Sequence, residues 1–215
     1  MKYLRLVLAL TALIAALAPM QAQVGKSVGL LDANRATEQE LMTVPNMTPA
    51  LAKAIIEKRT FNNVTELAAV LSPTIPADKL PAVYGKLFVH INLNTATDDE
   101  LRAIPAMNSR QIVREFKEYR PYKSLADFHR EMRKYWDETE VSRLEQYVFV
   151  PIKLNTATDD EINSIPHPNP RQLLREFKEY RPYADIEKFR REMGKYFDAK
   201  EVKRLERYVT VDTVK

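Results

Sequence analysis

The chain repeats itself, and that limits its folds more than any other feature. LNTATDDE stands at residues 93–100 and again at 154–161, and REFKEYRPY stands at 114–122 and again at 175–183. Both pairs are 61 residues apart, and the same offset joins Met132 to Met193, Trp136 to Phe197, Leu144 to Leu205 and Tyr147 to Tyr208. A looser copy opens at ANRATEQEL (33–41), 60 residues before the middle one, and closes on KLFV (86–89). A period of this size means one supersecondary unit used repeatedly, not one large core. The reading is three tandem units of about sixty residues, near the lower limit for a domain that folds alone. Their expected bounds are 24–90, 91–150 and 151–215.

Each unit is dense in helix signals. Thr37 with Glu40, Thr97 with Glu100 and Thr158 with Glu161 have capping-box spacing. The short helix that follows must stop before Val44-Pro45, Ile104-Pro105 or Ile165-Pro166, because a residue preceding proline avoids the helical region. Ile112, Val113 and Phe116, like Leu173, Leu174 and Phe177, then mark a second helix by their spacing. A third starts near Ser124 in the middle unit, and Asp137 and Asp198 cap a fourth. The expected class is all-α, with about four short helices per unit. The closing YVFV and YVTV runs read as connectors and not as a sheet. Four glycines against thirteen prolines fit short, sharply ended helices.

Residues 1–22 read as a secretory signal peptide: Lys2 and Arg5, then an apolar run from Leu6 to Ala18, then Ala22 at a cleavage position. That run is shorter than the roughly 20 residues needed to span a bilayer. The expected location is therefore the periplasm or the exterior. With no cysteine there is neither lipid anchor nor disulfide. Loss of Lys2 and Arg5 leaves 31 basic against 29 acidic residues, so the net charge falls from +4 to +2. Attraction to nucleic acid must then come from local clustering of charge.

The stretch INLNTATDDELRAIP with the turn and helix after it resembles the helix-hairpin-helix repeat of the ComEA type, over nearly all of residues 30–211. That family includes receptors for incoming DNA at the cell surface and in the periplasm. The same two-hairpin build also resembles the extrinsic lumenal subunit of photosystem II, a protein-binding module. The resemblance implies the fold more firmly than the ligand. Its DNA-binding form places two glycines in the hairpin, where bare N–H groups at a helix start receive a phosphate. Here those glycines fall on Asn46 and Thr48, Ala106 and Asn108, His167 and Asn169. Asn108 and Asn169 are expected to hold a left-handed turn, since asparagine tolerates it best after glycine. Thr48, being β-branched, suits it poorly.

Arg110, Arg114 and Lys117 share one helix face after the second turn, and Arg171, Arg175 and Lys178 repeat the pattern. The leading expectation is sequence-independent binding of double-stranded DNA. The backbone around Met107, Asn108 and Asn169 would act with Arg110, Arg114, Lys117, Arg171, Arg175 and Lys178. The competing reading is an assembly module of an envelope protein complex, in which Glu115, Glu118, Glu176 and Glu179 pair with that stripe. The first unit offers only Ala50, Ala54 and Glu57 at the matching positions. His90, His129 and His167 have no metal-binding spacing, and no nucleophile elbow, Walker loop or Rossmann glycine run occurs. No metal, cofactor or enzymatic activity is expected. Asp98-Asp99 and Asp159-Asp160 read as helix starters. The repeated aromatics read as core, apart from Tyr122 and Tyr183, which are expected at the surface.

Overall fold

The structure is a computed structural model and describes residues 23–107 and 109–211. The expected signal peptide, 1–22, lies outside the described residues. The first segment runs β1 (Leu31–Asp32), α1 (Glu38–Leu41), α2 (Pro49–Lys58), α3 (Val64–Leu71), a 3-10 turn (Ala77–Lys79), α4 (Leu80–Tyr84) and β2 (Leu87–Phe88). The middle one runs β3 (Ile91–Asn92), α5 (Asp98–Ala103), α6 (Arg110–Glu118), α7 (Leu125–Met132), α8 (Glu138–Glu145) and β4 (Val148–Phe149). The last runs β5 (Ile152–Lys153), α9 (Asp159–Ser164), α10 (Pro170–Glu179), α11 (Ile186–Met193), α12 (Ala199–Glu206) and β6 (Val209–Thr210). The molecule is all-α in class, with only two-residue strands beside its helices.

The helix starts follow from their caps. Thr37, Thr97 and Thr158 each form a complete capping box with the glutamate three residues on. Ser124, Asp137 and Asp198 each accept a helix N–H at the N-cap. The closing runs are not mere connectors. β1 pairs with β2, β3 with β4 and β5 with β6, all parallel, so each segment's first residues lie beside its last. The reason is an accounting one: backbone leaving the buried end of a helix pair needs partners for its N–H and C=O groups, and the opening strand supplies them.

Two side chains that recur in all three segments hold this arrangement. Asn34, Asn94 and Asn155 each donate from Nδ2 to the carbonyl of Phe61, Tyr122 or Tyr183 at 2.9 Å and accept that residue's N–H at 2.6–2.7 Å. Arg59, Arg120 and Arg181 donate to the carbonyls of Ala36, Ala96 and Ala157 at 2.5–2.8 Å. Asparagine and arginine thus fasten the opening turn to the end of the second helix. Tyr122 and Tyr183 are not at the surface: they are 2% and 0% exposed. The Tyr122 hydroxyl donates to the Phe116 carbonyl at 2.9 Å, which satisfies its one polar atom inside the core.

The first and middle segments share one continuous apolar core, while the last has its own, which takes in Val24 and Phe149. The joints repeat too. Phe88 packs edge-on against Tyr147 at 4.9 Å between ring centres, and Phe149 meets Tyr208 at 4.7 Å. Residues 23–25 add a strand to the middle segment, with Val24 bridging antiparallel to Phe149. Gln23 ties this strap to both neighbours, donating from its backbone N–H to Ser164 Oγ and from Nε2 to the Lys123 carbonyl and to Glu161. Among the described residues no helix is long and apolar enough to cross a membrane.

Candidate nucleic-acid interface

The hairpins that join the first two helices of each segment are built differently from the expectation. The left-handed residue is the first of the two matched positions: Asn46 has φ 62° and Ala106 has φ 68°. The second position is a helix cap. Thr48 lies extended at φ −121° and its hydroxyl accepts the Leu51 N–H, so its β-branch costs nothing there. Asn169, at φ −126°, caps α10 by accepting the Gln172 N–H and is not left-handed. Asn108 lies outside the described residues, and Ser109 caps α6 in the middle segment. Asn46 is of a type that tolerates this conformation, whereas Ala106 bears the cost of about 1–2 kcal/mol that it ordinarily imposes on an L-residue.

The N–H groups expected to face phosphate are largely in use. Met107 is 1% exposed, with its side chain in the core and its N–H donated to the Ile104 carbonyl at 3.0 Å. The turn uses that donor for itself. In the last segment His167 folds back over the hairpin. Its Nδ1 lies 2.9 Å from the Asn169 carbonyl oxygen and 3.1 Å from the Asn169 nitrogen, and its ring meets Phe197 edge-on with centres 5.1 Å apart. Burial lowers the His167 pKa. The imidazole stands where an anion's oxygen would have to come.

The basic stripes lie on the faces expected, but with their own counter-charges. Arg114 pairs with Glu115 at 3.0 Å and Arg175 with Glu176 at 2.5 Å. Both carboxylates are buried, at 5% and 0% exposure, so each arginine neutralises a charge that could not stand alone there. Glu115 is held below the usual carboxylate range by a hydrogen bond from Tyr135 and then by Arg114. Lys117 reaches Asp98 at 2.7 Å, and Lys178 reaches Asp159 at 2.7 Å. The Lys117 hydrogen bond, with Arg102 nearby, lowers the Asp98 pKa. Asp98 and Asp159 thus serve both as helix starters and as partners of the second helix. Arg110 and Arg171 differ: both are exposed, and among the described residues neither side chain has a hydrogen bond or salt bridge.

The asparagine and arginine fasteners were not singled out from the sequence, and Glu115 and Glu176 were expected as partners of the stripe but not as buried groups. The fasteners had a signal, since Asn34, Asn94 and Asn155, like Arg59, Arg120 and Arg181, stand in every copy. The burial of the glutamates had none, because a charged residue inside a helix reads as solvated. Among the described residues no group of histidine, aspartate and glutamate side chains could hold a metal ion.

Comparison with known proteins gives one match. Residues 26–73 fit the family model of the helix-hairpin-helix motif. No curated protein and no solved structure matches the chain. The matched stretch holds the first segment's hairpin, the one whose second helix carries Ala50, Ala54 and Glu57 in place of the basic stripe. The first segment therefore carries a helix-hairpin-helix motif, a build generally associated with nucleic-acid binding.

Proposed function

We propose that the protein is a non-enzymatic interaction module, exported to the periplasm or beyond, whose hairpins hold helices together and present a surface to other proteins of the envelope. One observation carries this reading: apart from Arg110 and Arg171, the donors and cations expected at the hairpins are engaged within the chain. Met107 N–H serves Ile104, Asn169 N–H serves His167, and Arg114, Lys117, Arg175 and Lys178 serve Glu115, Asp98, Glu176 and Asp159. A phosphate entering here would have to displace carboxylates, two of them buried, for little net attraction.

A second reading is favoured by the motif at 26–73 and by the unpaired Arg110 and Arg171 at the starts of α6 and α10. It is sequence-independent binding of duplex DNA, the uptake role that a ComEA-type resemblance implies. Titrating the protein with labelled duplex at several salt concentrations separates the two. Two free guanidiniums give a slope of log K against log salt of about −2, and six phosphate contacts give about −5. The interaction-module reading expects no measurable binding at physiological salt. A slope near −5 that flattens in the Arg110→Ala, Arg171→Ala double variant would replace it with the DNA reading.

A further inference from the structure

We infer that the outer edge of β6 is a docking site for an extended segment of a partner protein, one that carries an apolar residue followed by glycine. This rests on the interaction-module reading and names its surface.

The molecule already shows what such an edge accepts. On β4 the strap is held by its backbone: the Gly25 N–H donates to the Val148 carbonyl at 3.2 Å and the Val150 N–H donates to the Gln23 carbonyl at 2.8 Å. Farther along, the Val28 N–H donates to Gln146 Oε1 at 2.8 Å. Val24 sinks into the last segment's core at 3% exposure. The glycine is needed by approach, not by its dihedral angles, since a Cβ on Gly25 would lie 1.6 Å from the Glu145 carbonyl oxygen.

The 61-residue offset carries this seat onto the last segment. Val148, Phe149 and Val150 become Val209, Thr210 and Val211, and Glu145 and Gln146 become Glu206 and Arg207. β6 meets β5 in the same parallel register, with Ile152 N–H to the Tyr208 carbonyl at 2.8 Å and Leu154 N–H to the Thr210 carbonyl at 2.9 Å. That ladder leaves the Val209 carbonyl and the Val211 N–H on the far side. Among the described residues neither group makes a hydrogen bond. The side chains differ too: Phe149 and Val150 are 2% and 3% exposed, Phe149 being covered by Tyr208 as well as by the strap, whereas Thr210 is exposed and Val211 half-buried. The first segment has no such opening, for Leu87, Phe88 and Val89 are all buried.

An open groove of about 760 Å³ lies beside α12, the helix that leads into β6, and is lined by Phe197, Val202, Lys203, Glu206 and Arg207 among others. In the middle segment His129 spans the corresponding gap by bonding both Glu138 and Glu145. In the last, Ala199 stands at the Glu138 position, and Arg190 pairs with Glu206 at one wall of the groove. We assign the occupant to another protein because the segment known to fit such an edge is already engaged. The chain's own strap is single and is fixed to Ser164, Lys123 and Glu161, and the same holds for the strap of a second copy. Backbone pairing supplies attraction without regard to sequence, and the close approach at the Glu206 carbonyl selects glycine.

The probe is the synthetic hexapeptide Gln-Val-Gly-Lys-Ser-Val, the strap's own sequence, added to isotopically labelled protein and followed by amide NMR. The expected result is a saturable shift of the Val211 amide, with binding weakened about tenfold or more by Val211→Pro. That substitution removes the free donor and spares the β5 ladder. A peptide with valine for glycine should not bind. No shift at Val211 with millimolar peptide overturns the proposal, as does unchanged binding to Val211→Pro. A shift confined to Val150 also overturns it, since the peptide would then only be exchanging with the strap. Concentration-dependent dimerisation abolished by Val211→Pro would assign the edge to a second copy and overturn the partner. The duplex titration reports on the hairpins alone, so failure here and failure of the interaction-module reading are distinguishable.

Discussion

The middle and last segments share REFKEYRPY and LNTATDDE letter for letter, yet they differ where a ligand would have to come. At the hairpin the middle segment holds Ala106 in a left-handed turn, while the last drops that conformation and closes the turn with the His167 ring. Between the third and fourth helices the middle one uses His129 on Glu138 and Glu145, and the last uses Arg190 on Glu187 and Glu206. At the strand edge one is covered by residues 23–25, and the other has no such cover among the described residues. The identical stretches are those that fasten a segment to itself. The pieces free to diverge are those facing outward, which is where binding specificity has room to change.

The largest way to break the comparison is Gly25→Val. The added side chain cannot fit against the Glu145 carbonyl, so the strap must leave and β4 becomes as open as β6. A loss of at least about 2 kcal/mol is expected in chemical denaturation, with fast amide exchange at Val150. Gly85→Ala is the control, because its Cβ would meet nothing closer than 3.6 Å. Next come Asn94→Ala and Asn155→Ala. Each removes both bonds to the tyrosine backbone, at a cost of about 2 kcal/mol. Equal losses would show the fastener working alike in both copies, and unequal ones would mean neighbours compensate.

The hairpins should respond with opposite signs. Ala106→Gly relieves the positive φ and should stabilise by up to about 1 kcal/mol. His167→Gly empties the site over Phe197 and frees the Asn169 N–H, so it should destabilise by about 1–2 kcal/mol. Thermal unfolding of the two single variants checks both. The smallest effect is on pH. Burial pulls the His129 pKa down, but the bonds to Glu145 and Glu138 outweigh it and the net shift is upward. Its ion pairs therefore stabilise below the ordinary histidine pKa and are lost as pH rises through the raised one. Arg190 does not titrate in this range. Amide exchange compared at about pH 5.5 and 8 should quicken in α7 and α8 relative to α11 and α12, and His129→Arg should abolish the difference.

Much of the fold was legible because it is written locally. Thr97 and Glu100, or Asp137 ahead of Glu140, state a helix start within four letters, and the structure uses them so. The candidate site was less legible because its outcome depends on partners distant in sequence. That Lys117 meets Asp98, or that the Met107 amide turns inward, follows from how two helices cross and not from either helix alone. The strap was invisible for the same reason: GlnValGly has no periodicity, and its seat on Phe149 is more than a hundred residues away. Asn169 was misjudged through a one-position ambiguity, since asparagine suits both a left-handed turn and a helix cap.

The parallel pairing of each segment's opening and closing strands has a consequence for inheritance. Leu31 lies beside Leu87, Ile91 beside Val148 and Ile152 beside Val209, so every block of chain enters and leaves at one spot. A gene copied in frame over such a block inserts a finished building brick whose two loose ends already touch. The verbatim LNTATDDE twins are the imprint such a duplication leaves, and lengthening or shortening the array by one brick requires no redesign of the others' internal ladders.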